Sequence, residues 1–135
     1  GGDGLYPIRA GRNYGWPLIS WGTHYDGRPV NEGQRERRGL EQPSVHWTPS
    51  IAPSGLAFYT GDLFPAWRGN LFSGALAGQM LVRMELDGDR VVRQERLLTD
   101  LGMRFRDVQQ GPDGALWLLA DAADGALLRL APRGR

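Results

Sequence analysis

The feature that constrains this chain most is a repeat of 45 to 46 residues in its second half. Gly69-Asn70-Leu71-Phe72 recurs as Gly114-Ala115-Leu116-Trp117, an offset of 114 − 69 = 45. Leu81-Val82-Arg83-Met84 recurs as Leu127-Leu128-Arg129-Leu130, an offset of 127 − 81 = 46. A period in the forties with strand patterns throughout is typical of a four-stranded β-propeller blade. The sequence therefore predicts an all-β fold of antiparallel blades.

The strand patterns predict one complete blade followed by an incomplete one. The first blade has four predicted strands, and Asp87-Gly88 is a strong signal for the hairpin turn that joins the last two of them. The second blade has three. The predicted strands are 55–60, 70–76, 80–86 and 90–98, then 104–109, 115–120 and 126–131. This divides residues 1–135 into a loop-rich first part, one blade and a last, incomplete blade, with bounds 1–54, 55–98 and 104–131.

The loop-rich first part carries weaker signals. Leu18–Gly22 is predicted to be a short strand, and 23–43 reads as a solvated polar loop. His24 and His46 are the only histidines, and neither has a carboxylate or a second histidine at ligand spacing. We therefore expect neither a metal site built on them nor a general base.

Composition excludes several classes of function. The charge balance of 16 basic against 15 acidic residues predicts no nucleic-acid partner. There is no cysteine, so a disulfide framework and a thiolate site are both excluded. The sequence contains no run of about 18 apolar residues, so membrane insertion is not expected. All the basic residues are arginines.

The most informative local pattern is the arginine pair Arg104 and Arg106. Side chains alternate along a strand, so residues at i and i+2 point to the same face. Two planar guanidinium groups aimed at one place suit a ligand with several carboxylates or phosphates. The alternative is that both arginines are solvated or are paired with Asp107 and other carboxylates.

Four motifs in order resemble the C-terminal part of the soluble pyrroloquinoline quinone (PQQ) dependent glucose and aldose-sugar dehydrogenases. They are Asn13-Tyr14-Gly15-Trp16-Pro17, the stretch 47–55, the stretch 67–76 and Arg104-Phe105-Arg106-Asp107-Val108. The resemblance covers almost the whole chain. It implies about two blades of a six-bladed propeller, with the remaining blades supplied by a longer protein of which this chain is a fragment.

The resemblance also implies a function. Members of this family oxidise aldoses at the anomeric carbon to lactones, with hydride transfer to PQQ and with calcium as second cofactor. Arg104 and Arg106 match the pair that binds the quinone's carboxylates. Asp3 matches an acidic position beside the cofactor, although Gly4 stands where the family usually has Glu. Trp47 matches a segment at the substrate mouth, with a purely structural place in the core as the alternative.

One cofactor-contacting residue of the family is replaced in this chain, and the family's general base is expected outside it. A lysine that also meets the cofactor follows Gly-Ala-Leu in better studied members, whereas this chain has Ala77. The family's general base lies upstream, so no catalytic residue is assigned here, and the residues that would hold calcium are not identified. The family implies a periplasmic or secreted location, while the sugar, the electron acceptor and the oligomeric state are left open.

A second class of function is also compatible with the sequence. Pro112-Asp113-Gly114 before a strand occurs in many propellers, and a fold does not by itself fix function. A non-redox propeller, either a lactone hydrolase or a binding module, is therefore the alternative. A hydrolase of this kind should carry a calcium site of carboxylate and Asn side chains, and no such cluster stands out.

Overall fold

The computed structural model describes residues 2–134, which form two compact units divided between Ile51 and Ala52. The first unit contains two short strands, β1 (Asp3–Leu5) and β2 (Val45–Trp47), and a 3-10 segment at Val30–Gly33. The strands pair antiparallel, with Asp3 opposite Trp47. The rest of this unit consists of turns and loops.

The strand predicted at Leu18–Gly22 is wrong. The carbonyl of Gly15 accepts hydrogen bonds from the N–H groups of both Leu18 and Ile19, at 2.6 and 3.0 Å. Gly15 has φ +106°, a backbone conformation that glycine adopts without a steric penalty. The chain therefore turns tightly here, and Ile19 is buried at the turn.

The second unit contains two antiparallel sheets, which confirms the predicted partial propeller. The first sheet has four strands, in the order β3 (Pro53–Phe58), β4 (Leu71–Ala75), β5 (Met80–Asp87) and β6 (Arg90–Leu97). The second has three, in the order β7 (Phe105–Gln110), β8 (Leu116–Ala120) and β9 (Leu127–Leu130). Two further 3-10 segments lie in the connections, at Pro65–Trp67 and Thr99–Leu101.

The two sheets share one apolar core. Its fully buried members come from both sheets and from the residue after β3; they are Tyr59, Phe72, Leu81, Phe105, Val108, Leu116 and Leu118. The Tyr59 hydroxyl donates to the carbonyl oxygen of Gly114 at 2.8 Å and accepts from the N–H of Phe64 at 3.0 Å. Tyr59 is fully buried and Gly114 lies in the second blade, so this hydroxyl forms a buried polar link between the blades.

The outer face of the second sheet carries exposed leucines. Leu119 and Leu127 lie opposite each other in the β8–β9 pair and are 46% and 64% exposed. Among the described strands β9 pairs with β8 alone, so its other edge presents unpaired N–H and C=O groups.

We therefore expect the 135-residue chain by itself to self-associate. Sedimentation velocity should show species larger than the monomer, and Leu119→Gln combined with Leu127→Gln should raise the monomer fraction. Ile8→Gln is the control, because Ile8 is exposed at 76% but lies outside the strands of both sheets. A monodisperse parent chain that unfolds cooperatively would contradict this expectation.

Candidate functional site

The structure brings Arg104 and Arg106 together at one carboxylate. Arg104 directly precedes β7, and Arg106 lies within it. The Nη2 atom of Arg106 donates to Oδ2 of Asp121 at 3.0 Å, and Nη2 of Arg104 lies 3.6 Å from the same oxygen. Phe105, between them, is fully buried. The two guanidinium groups therefore converge on the side of β7 away from the core, as the alternation of strand side chains predicts.

Asp107 is not the partner of either arginine. Its carboxylate accepts from the N–H of Val108 at 2.9 Å and from the Gln109 side chain at 3.4 Å. The arginines pair instead with a residue at the end of the neighbouring strand. Sequence reasoning missed Asp121, although an antiparallel hairpin joining the predicted strands 104–109 and 115–120 would have placed residues near 121 beside Arg104.

Two facing bulges set the position of the arginines. The register of β7 against β8 shifts between Phe105 and Asp107, and the register of β3 against β4 shifts between Ser54 and Leu56. A bulge leaves one extra residue in its strand and re-aims the neighbouring side chains. The Ser54 hydroxyl donates to the carbonyl oxygen of Arg106 at 2.6 Å, and this hydrogen bond connects the two bulges.

A shallow cavity of about 290 Å³ opens beside Arg104. Its lining comes from the turn after β4, the approach to β7 and the connection between β8 and β9, and includes Gln79, Arg104, Asp121 and Asp124. Gln79 has φ +50°, an unusual backbone conformation for a residue other than glycine. The lining thus includes charged and amide side chains, and the cavity volume falls just below the range of about 300 to 1,000 Å³ that is typical of ligand pockets.

Ala77 lies exposed in the turn between β4 and β5. This turn also carries Gln79 to the cavity lining. An alanine offers no charge, so the turn supplies an amide from Gln79 and no cation.

Asp3 and Trp47, the two other predicted site residues, lie opposite each other in the first unit. The Ser50 hydroxyl donates a hydrogen bond to the Asp3 carboxylate. Trp47 is 8% exposed, so only a small part of its ring is accessible. By contrast, Trp16 is 68% exposed. Among the tryptophans of the predicted motifs, Trp16 thus presents far more surface than Trp47.

The histidines of the first unit make aromatic contacts. His46 stacks on Trp21 with ring centroids 3.7 Å apart, and the Arg35 guanidinium lies 5.2 Å from the centroid of the same indole. His24 meets Trp16 edge to face. Within residues 2–134, no group of three or more His, Asp or Glu side chains is placed to hold a metal ion. In the same residues, no helix is long and apolar enough to cross a bilayer.

Known proteins share the sequence and the fold of this chain. The glucose/sorbosone dehydrogenase family profile matches residues 1–129. The aldose sugar dehydrogenase YliI of Escherichia coli is 46% identical over 134 residues, which cover 98% of this chain and 36% of that protein. A glucose dehydrogenase crystal structure is 52% identical, with a TM-score of 0.90, over 97% of this chain and 38% of the other.

A further structure is of an aldose sugar dehydrogenase from Streptomyces coelicolor in its PQQ-bound form. It is 26% identical with a TM-score of 0.67, over 96% of this chain and 36% of that one. The fold and the motifs define a partial β-propeller of the sugar dehydrogenase class. The chain belongs to the glucose/sorbosone dehydrogenase family and spans about a third of the length of these relatives.

Proposed function

We propose that this chain is the C-terminal part of a PQQ-dependent aldose sugar dehydrogenase and supplies the arginines that bind the cofactor's carboxylates. The observation that carries the proposal is the convergence of Arg104 and Arg106 on one carboxylate beside a cavity. The PQQ-bound relative supports the choice of cofactor. The proposed reaction is oxidation of an aldose at its anomeric carbon to a lactone.

The donor set fits a ligand that carries several carboxylates. The Arg104 and Arg106 side chains are 47% and 52% exposed, so each guanidinium has N–H groups left to donate after pairing with Asp121. A planar guanidinium binds a carboxylate through two parallel hydrogen bonds, which fixes orientation as well as affinity. When bound, PQQ would supply the redox chemistry, and Arg104 and Arg106 would bind and orient it.

The remaining assignments in this proposal follow from membership of the family rather than from contacts within this chain. Asp3 and Trp47 are the remaining candidate contacts, to the cofactor and to the aldose respectively. Calcium is the second cofactor, and we propose that residues outside this chain contribute most of its ligands as well as the general base. The remaining blades are then an obligate partner, and the chain alone has no dehydrogenase activity. We place the whole protein in the periplasm or outside the cell.

The test uses a chimera in which residues 1–135 replace the matching segment of the E. coli aldose sugar dehydrogenase. We expect Arg104→Ala and Arg106→Ala each to weaken PQQ binding about tenfold or more. A charge-assisted hydrogen bond contributes about 1.5 to 3 kcal/mol, and about 1.4 kcal/mol corresponds to tenfold in affinity. PQQ is titrated into the calcium-loaded apoprotein, and binding is followed by calorimetry.

Arg129→Ala is the matched control. Arg129 is 41% exposed and forms an ion pair with Asp113 at 2.6 Å, so it resembles Arg106 in exposure and pairing. Its partner Asp113 does not line the cavity, whereas Asp121, the partner of Arg106, does. Its hydrogen bond lowers the pKa of the Asp113 carboxyl, with a backbone N–H from Ala115 acting in the same direction. We expect unchanged PQQ affinity in this variant. The proposed arginine site is wrong if Arg104→Ala and Arg106→Ala bind PQQ as tightly as Arg129→Ala does.

A further inference from the structure

One side chain contacts both arginines of the proposed site. Oδ2 of Asp121 accepts from Nη2 of Arg106 at 3.0 Å and lies 3.6 Å from Nη2 of Arg104. The Asp121 side chain is 38% exposed, so water screens these two pairs only in part. A single oxygen between two guanidinium groups brings the two cations close together against their mutual repulsion.

The backbone holds Asp121 at this place. Phe105 lies opposite Ala120 in the β7–β8 register, and the N–H of Asp121 donates to the carbonyl oxygen of Arg104 at 2.8 Å. Ala120 is buried, and Phe105 is a member of the core. The carboxylate of Asp121 is therefore attached to a rigid strand end, whereas the arginines reach it with long, flexible side chains.

A second carboxylate offers a comparison within the same cavity. Asp124 lines the cavity together with Arg104 and Asp121. It is exposed, and within residues 2–134 it forms no ion pair with an arginine. Both carboxylates lower the positive potential that an anionic ligand meets. Only Asp121 also restricts the rotamers of the arginines, and ordering a long arginine side chain costs up to about 2 kcal/mol of rotamer entropy.

We propose that Asp121 is a positioning residue, which preorganises Arg104 and Arg106 for a ligand that carries carboxylates. This inference rests on the proposed function of the arginine pair. Coulombic attraction alone makes the opposite prediction, because removing a negative charge beside an anion site should tighten binding. The sign of the effect therefore separates positioning from simple charge balance.

The experiment compares Asp121→Asn with Asp124→Asn in the chimera. Each substitution removes one negative charge and keeps the size of the side chain. We expect Asp121→Asn to weaken PQQ binding by about three- to tenfold, since the arginines must then be ordered by the ligand itself. We expect Asp124→Asn to leave PQQ affinity unchanged or to raise it slightly. A thermal melt of each variant verifies that both remain folded.

A second measurement reports positioning without PQQ. Relaxation of the arginine side-chain ¹⁵Nε–¹H groups gives order parameters for Arg104 and Arg106 in the chimera. We expect lower order for both groups in Asp121→Asn and unchanged order in Asp124→Asn. Order parameters equal to those of the parent in Asp121→Asn, or PQQ binding as tight as in Asp124→Asn, would overturn the inference.

The same pair of measurements separates this inference from the proposed function. If the parent chimera does not bind PQQ, the proposed function fails, and the order parameters still decide whether Asp121 positions the arginines. If the parent binds PQQ and both arginines are needed, but Asp121→Asn leaves their order and the affinity unchanged, only the positioning role fails.

Discussion

Gly55→Ala should lower the free energy of unfolding of the chimera by about 3 kcal/mol, the sum of a left-handed backbone penalty of about 1 to 2 kcal/mol and a packing penalty of similar size. Gly55 has φ +74° at the bulge of β3. A Cβ at this position would lie 2.8 Å from both Cα of Asp107 and the backbone N of Val108. Those atoms belong to the backbone of β7, so the strand itself would have to move. Urea denaturation measures the loss.

Gly69→Ala isolates the packing part of this effect. Gly69 also has a left-handed backbone, with φ +80°, but a Cβ there would have no heavy atom within 4 Å. It therefore carries the conformational penalty alone, about 1 to 2 kcal/mol. Equal losses in the two variants would show that the close approach of β3 to β7 has no energetic weight.

The close approach of Gly55 to β7 also predicts an effect of Gly55→Ala on the proposed arginine site. Ser54 precedes Gly55 and holds the carbonyl of Arg106. Displacing β7 from β3 therefore moves the segment that aims both arginines, and we expect PQQ affinity to fall together with stability. The fold and the proposed site thus share one structural element, the pair of facing bulges.

The repeat could be predicted from the sequence, whereas the bulges could not. Leu71 recurs as Leu116, and both are buried, because equivalent strands bury equivalent positions, so the periodicity identified the blades. A bulge, in contrast, depends on contacts between residues far apart in the chain. Gly55 is visible as a glycine, but its neighbour Asp107 is fifty-two residues away. No local pattern contains that information.

Dependence on contacts between distant residues also explains why the strands of the first unit could not be predicted. β1 and β2 are each three residues long, and about forty residues separate them. Strands this short have no alternation long enough to recognise, and their pairing is decided by long-range contacts. The apolar stretch at Leu18–Gly22 looked more like a strand than either of them, yet the turn at Gly15 overrides it.

The candidate site combines a feature that the sequence predicts with one that only the structure identifies. The spacing of Arg104 and Arg106 was sufficient to predict that they share a face, because alternation is a local property. Their partner Asp121 could be found only from the register of β7 against β8, which in turn depends on the bulge at Arg106. Sequence thus indicated the cations of the site, and the structure was needed to identify the anion.

Arg83→Met should lower the free energy of unfolding by about 2 to 3 kcal/mol, the cost of leaving a buried acceptor unpaired together with the loss of a partly buried ion pair. Arg83 is 7% exposed. Its Nη1 donates to Oδ1 of Asn70 at 2.6 Å and to Glu85 at 3.0 Å, and its Nε donates to Glu95 at 2.6 Å. The guanidinium also lies 5.9 Å from the centroid of the Trp67 indole.

The charge of Arg83 is retained in spite of its burial. Burial lowers the pKa of its guanidinium, but the hydrogen bonds that it donates to the Glu95 and Glu85 carboxylates more than offset this, so the pKa is raised above its ordinary value. Replacing a buried ion pair by apolar residues can be neutral when every partner is replaced. Methionine replaces only the arginine, and Asn70, itself 8% exposed, keeps an amide oxygen with no donor. We therefore expect a loss of stability rather than a gain.

Arg93→Met is the matched control for this prediction. Arg93 lies on the adjacent strand β6 and meets the same Glu85, at 3.8 Å, but its side chain is 65% exposed. An exposed pair at this distance contributes about 0 to 1 kcal/mol, so the free energy of unfolding should fall by less than about 1 kcal/mol. If urea denaturation gives the same midpoint for Arg83→Met and Arg93→Met, the buried network does not stabilise the first sheet. Adding Asn70→Leu to Arg83→Met should recover part of the loss, because the unpaired amide oxygen is then removed.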